Sequence, residues 1–166
     1  LNGNNYNLLQ TLNYHTNSVY KIIEIKNQQL ISCSDDNSFI VYFKENNEYK
    51  MDYKIQTNGS CYSVIQTKNS EICYSEFTND AICFFDILER KKIKTINNIS
   101  KRNDYLEKVL MIKEDLLFIG GENKISLINV NQYNLIRVID VQGSSWIYAI
   151  CMLNDNTFLT GDDSKA

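Results

Sequence analysis

The chain has 166 residues, 43% of them hydrophobic and 22% charged, with a formal net charge of -3 and a pI near 5.2. That balance suits a chain that buries a core, and its mild acidity argues against a surface built throughout to attract nucleic acid or anionic lipid. No apolar run approaches the roughly 18 residues of a membrane span, Leu1 is not an initiator methionine, and no targeting segment is visible.

In chain order, residues 8–12 read as the last strand of a preceding unit, and His15, the only histidine, follows them. Residues 18–25, rich in Ile and Val, predict a first strand. Residues 30–34 predict a second, which runs into the polar turn Asp35-Asp36-Asn37. Residues 39–43 leave that turn as a third strand, and 49–55 supply a fourth. The order then begins again. Strands are expected at 60–67, 71–75, 81–86 and 92–96, with the turn Thr78-Asn79-Asp80, and again at 105–112, 116–120, 125–129 and 135–141, with the turn Gly121-Glu122-Asn123. A fourth round opens at 146–153 and 157–161, enters Asp162-Asp163-Ser164, and stops at Ala166 inside or just before its third strand.

The four opening segments, at Ser18, Ser60, Tyr105 and Trp146, start 42, 45 and 41 residues apart, and all are apolar at their second, fifth and sixth positions. That spacing alone also fits one face of a helix. Their shortness, their Ile, Val and Tyr content and the flanking Asn, Asp, Gly and Ser favour strands. Four short antiparallel strands per unit of this length predict an all-β propeller, about three and a half blades of it. The expected units are 1–12 as the end of a preceding blade, 13–55, 56–96 and 97–141 as blades, and 142–166 as a truncated blade. An arc this short leaves an apolar flank and sheet edges unpaired, so the remaining blades are expected from further sequence or from another chain.

The residues also carry a family resemblance. Ser32-Cys33-Ser34-Asp35-Asp36-Asn37-Ser38-Phe39-Ile40-Val41-Tyr42-Phe43 resembles the WD-repeat pattern Ser-Gly-Ser-x-Asp-Gly-Thr-Ile-x-Leu-Trp-Asp, and Thr160-Gly161-Asp162-Asp163 resembles its opening. Cys33 replaces Gly, Tyr42 replaces Trp, and Phe85-Asp86 and Ile128-Asn129 stand where the dipeptide belongs. The resemblance implies a WD-type propeller. It also implies a structural hydrogen-bond network of His15, Ser32 or Ser34, Asp36 and, in place of Trp, Tyr42.

Chemistry beyond that is sparse. The five cysteines, Cys33, Cys61, Cys73, Cys83 and Cys151, form no C-x-x-C pair, so they read as small buried hydrophobes in a reduced compartment, which points to the cytoplasm. Asp35-Asp36 and Asp162-Asp163 recur at one place in the repeat, which turn chemistry explains without acid/base catalysis. Gly120-Gly121 lacks the Gly-Lys of a phosphate loop, and His15 has no second histidine or nucleophile elbow beside it. Arg90-Lys91-Lys92 with Lys94, and Lys101-Arg102, are loop charges diluted by Asp86, Glu89 and Asp104, which speaks against a nucleic-acid footprint. No cofactor or metal is implied.

The aromatic residues that open the first strands are more informative. Tyr20, Tyr62 and Tyr148 share one repeat position with Glu107, and Tyr105 and Trp146 share another with Ser18 and Ser60. Blade symmetry gathers such positions on one face. Tyr and Trp are frequent interface anchors. The expected protein-binding rim is therefore Tyr20, Tyr62, Tyr105, Trp146 and Tyr148, with Asp35 and Glu107 as polar companions. The function this predicts is a non-catalytic scaffold that binds proteins or peptides within a larger assembly. The alternative is an enzyme propeller, a glycosidase or lactonase, with its site in the central channel.

Overall fold

A computed structural model of the chain describes residues 7–68, 70–97, 99, 108–112, 115–141, 146–154 and 157–162. Three four-stranded sheets and one two-stranded sheet follow one another, and neighbouring strands are paired antiparallel in sequence order. The first blade is β1 Val19–Ile25, β2 Gln29–Ser34, β3 Ser38–Glu45 and β4 Glu48–Gln56. The second is β5 Val64–Gln66, β6 Glu71–Glu76, β7 Ala81–Asp86 and β8 Lys91–Ile96. The third is β9 Lys108–Ile112, β10 Leu116–Gly120, β11 Lys124–Asn129 and β12 Asn134–Asp140. Strands β13 Ile147–Asn154 and β14 Thr157–Asp162 form the fourth, incomplete unit.

The core lies between blades, and strand alternation explains how. On β6, Ile72 and Tyr74 point to the first blade while Cys73 points to the third; on β7, Cys83 and Phe85 face the first and Ile82 and Phe84 the third. Successive side chains of a strand leave opposite faces, so a blade with apolar residues at every position is covered on both sides. Ile31, Cys33, Phe39 and Val41 complete the first layer, and Leu117, Ile119 and Ile128 the second. A smaller layer around Phe118, Ile125 and Ile147 joins the third blade to the fourth unit.

A repeating backbone bond locks each blade to the chain that follows it. Thr57, Ile99 and Val141 donate their N–H groups to the carbonyls of Asn37, Asp80 and Asn123 at 2.8, 3.3 and 2.8 Å. Each acceptor sits between the second and third strands of its blade at φ 59°, 45° and 54°. Asn and Asp tolerate that left-handed backbone, which is why the turns carry them.

Three features depart from the sequence reading. Residues 8–12 carry no strand. Instead the Gln10 side chain makes both bonds to the Tyr49 backbone, Nε2 to O at 2.6 Å and Oε1 from N at 2.8 Å, so a single amide replaces a ladder and leaves Leu8 and Leu9 exposed. Strand β5 has only three residues, because residues before it bond elsewhere: Cys61 N donates to Ser34 O of the first blade and Ser60 O accepts from Phe77 N. Cys151 is exposed, unlike the other four cysteines, since it lies on the face of β13 turned away from the third blade. Leu153 and Leu159 are exposed in the same unit, and Ile22 on β1 at the other end of the arc. Among the described residues the arc is thus open at both flanks.

Candidate protein-binding rim and the network beneath it

In the first blade, His15 joins the loop before β1 to the sheet. Its Nδ1 lies 2.9 Å from Asp36 Oδ2 and its Nε2 lies 2.7 Å from Ser32 Oγ, which is itself 2.9 Å from the Tyr42 hydroxyl. A carboxylate only accepts, so Nδ1 carries a proton; with the imidazole neutral, Nε2 accepts from Ser32 and Ser32 from Tyr42. Tyr42 thus fills the place of an indole N–H by reaching Ser32 with its hydroxyl, and burial pushes its pKa up. Ser34 serves the turn: its Oγ accepts from Asp36 N at 3.1 Å and donates to Asn17 O at 3.3 Å.

Asp36 gathers more donors than the sequence suggested. Besides His15 it receives the Ser38 hydroxyl, Lys54 Nζ at 2.9 Å and Thr16 N at 3.1 Å. Burial works to raise its pKa, but Ser38, Lys54, His15 and Thr16 together hold it well below the usual carboxylate range.

The second blade has a counterpart built from other residues. Glu76, wholly buried, accepts from Lys92 Nζ at 2.9 Å, Asn58 N at 3.4 Å, Asn58 Nδ2 at 3.1 Å and the Tyr74 hydroxyl at 3.3 Å. Again burial raises the carboxyl while Lys92 and Asn58 outweigh it, so the pKa is lowered. Asn58 stands one 42-residue step after Thr16, so both blades point the same backbone N–H at their clamp carboxylate. The adjoining Gly59 is needed: a Cβ there would stand 2.0 Å from Thr78 Oγ1 and 2.8 Å from Thr78 N.

Above these clamps lie the aromatic residues. Tyr20, half-exposed on β1, meets Tyr62 edge to face with centroids 4.6 Å apart, and Tyr62 meets Phe77 at 5.6 Å. Three rings therefore run across the seam between the first two blades. Phe77 escaped the sequence reading because it belongs to the helical turn Phe77–Asn79, which has no equivalent in the first blade. Asp35 ties this seam together: Oδ1 accepts from Ser60 Oγ at 2.6 Å and Oδ2 from Asn17 Nδ2 at 3.2 Å. Trp146, half-buried, forms an isolated bridge with Glu122, and Tyr148 on β13 is exposed; both belong to the fourth unit, two blades further round the arc. Tyr105 and Glu107 lie outside the described residues.

A third buried carboxylate joins the second and third blades at the other end of the sheets. Glu71 accepts from Thr67 Oγ1 at 2.6 Å and from the Tyr133 hydroxyl, while Lys68 Nζ donates to Val130 O at 3.2 Å. Among the described residues, no group of three or more His, Cys, Asp and Glu side chains could hold a metal ion, and no helix is long and apolar enough to cross a membrane.

Blades of four antiparallel strands, packed face to face and linked outer strand to inner strand, define a β-propeller arc. Comparison with solved structures makes the type specific. The crystal structure of the WD40 β-propeller domain of Doa1 matches with a TM-score of 0.70 over 89% of this chain at 12% identity. The chain spans about half of that structure, 49% of its length. This chain has the WD40 propeller fold, with about three and a half blades present. No protein-family profile and no curated protein matches the sequence.

Proposed function

We propose that the chain is a non-catalytic platform of the WD-repeat type, which binds proteins or peptides in the cytoplasm as part of a larger assembly. The observation that carries this reading is the run of Tyr20, half-exposed, with the partly buried Tyr62 and Phe77 across a blade seam. Rings held on β1 and on the hydrogen-bonded loops beside it offer contact area at little entropic cost, and such residues often anchor interfaces. The clamps on Asp36 and Glu76 fix the loops beneath, so the rings are presented in one arrangement. The open flanks receive further blades, from the same polypeptide or from a partner.

The test is alanine truncation in the completed propeller, with Tyr62→Ala for the seam and Trp146→Ala for the fourth unit. Truncating an anchor costs about 2 kcal/mol or more of binding, while a peripheral contact costs little. The platform reading expects partner capture to weaken with a thermal midpoint moved by only a few degrees. Collapse of stability with normal binding by the surviving folded protein would instead make the rings blade-packing residues.

A further inference from the structure

We infer that the seam between the first two blades takes a cationic side chain, Lys or Arg, from the bound peptide. The inference rests on the platform reading and adds the chemistry of the anchor. Tyr20 and Tyr62 meet at an interplanar angle of 68° and Tyr62 and Phe77 at 78°, so the rings form corners instead of a flat stack. A ring face carries negative electrostatic potential, and a corner offers two faces to one guest, the arrangement that suits a cation.

The carboxylate beside the rings supplies the second half. Asp35 N donates to Ser18 O at 3.0 Å and Asp35 Oδ1 accepts from Ser60 Oγ. Ser18 and Ser60 each stand two residues before a rim tyrosine, a step of at most about 7 Å along the chain, which is within the reach of a Lys or Arg side chain. Three carboxylates serve the loops that join the second and third strands of these blades, and they differ in charge balance. Asp36 is paired with Lys54, and Glu76 with Lys92. Asp35 receives only neutral side-chain donors, Ser60 and Asn17, and makes no ion pair among the described residues. Its turn role needs an acceptor but not a charge, so the charge is left for a partner. An apolar guest would leave that carboxylate uncompensated beside a dry contact, and an anionic guest would be repelled by it.

The experiment selects a random peptide library on the full chain. The expected winners share a Lys or Arg anchor. Changing that anchor to norleucine weakens them about tenfold, Asp35→Asn on the protein does the same, and Glu45→Gln at the end of β3 changes nothing, as judged from cation–π and ion-pair contributions. The norleucine peptide leaves the protein untouched, so a folding defect in Asp35→Asn does not confuse the result. Winners that need Tyr20 and Tyr62 but carry apolar or acidic anchors would overturn the cation assignment and leave the platform standing. Winners indifferent to Tyr20→Ala and Tyr62→Ala, or no winners at all, would overturn both.

Discussion

The first and second blades solve the same problem with different residues. Each must hold the loop arriving from the previous blade against the turn between its own second and third strands, and each does so by burying a carboxylate under the Thr16 or Asn58 N–H. The first blade surrounds Asp36 with a hydroxyl, an imidazole and Lys54; the second surrounds Glu76 with an amide, a phenol and Lys92. The lesson is that the carboxylate and its backbone partner are the common element. The histidine is one of several ways to satisfy it.

Acid should produce the largest effect, because it attacks both clamps together. Both carboxyls are lowered in the folded chain, from ordinary values of 3.8 and 4.5, so their stabilisation is full above those values and is lost as pH falls toward the folded-state values. Lys92 is shifted the opposite way: burial lowers it but Glu76 outweighs that and raises it, so its contribution fades as pH rises past 10.5 through the higher folded value. Denaturant midpoints measured across pH should therefore fall at both extremes. An Asp36→Asn, Glu76→Gln double variant that keeps the full acid dependence would show that other groups cause it.

Glu76→Ala comes next. It leaves Asn58 and the Tyr74 hydroxyl without their acceptor inside a blade that is packed on both faces, at about 1–3 kcal/mol for each buried group left unsatisfied, while the part-exposed Lys92 turns to solvent. Hydrogen exchange should rise in the first two blades together. Asp36→Ala should cost less overall and confine the rise to residues 12–56, since among the described residues the first blade has a packed neighbour on one side only. Equal spread from both variants would erase the distinction between an end blade and an internal one.

Gly59→Ala forces the 58–60 turn away from Thr78, at about 1–3 kcal/mol by analogy with overpacked sites. The displaced loop carries Tyr62, so the variant should also disturb the Tyr20–Tyr62 contact, visible as altered ring signals in the NMR spectrum. His15→Ala is the smallest change, about 1–2 kcal/mol for two hydrogen bonds, because Asp36 keeps Ser38, Lys54 and Thr16. A loss as large as that of Asp36→Ala would mean that the imidazole, and not the carboxylate, organises the first blade.

How far the sequence was legible differs along the same line. His15, Ser32, Asp36 and Tyr42 were visible because the first blade keeps enough of the WD pattern to assign each position. Glu76 was hidden: it falls just past the strand expected at 71–75, and its partner Lys92 lies 16 residues away in a basic cluster that reads as solvated charge. Phe77 was hidden by an extra residue in the turn, and the role of Asp35 as a seam tie required knowing that Ser60 lies against it. The cysteines show the same limit, since the fully buried Cys73 and the exposed Cys151 sit in equally apolar surroundings along the chain.

The sequence by itself determined the repeat, the strand order within each unit and the propeller class, because these follow from local alternation, turn residues and a period near 42. Only the tertiary structure decided which face of each strand meets which neighbour, which carboxylates are neutralised, and which aromatic rings converge. Those outcomes depend on contacts between residues tens of positions apart, and their energies come from burial and partner geometry that no local pattern encodes.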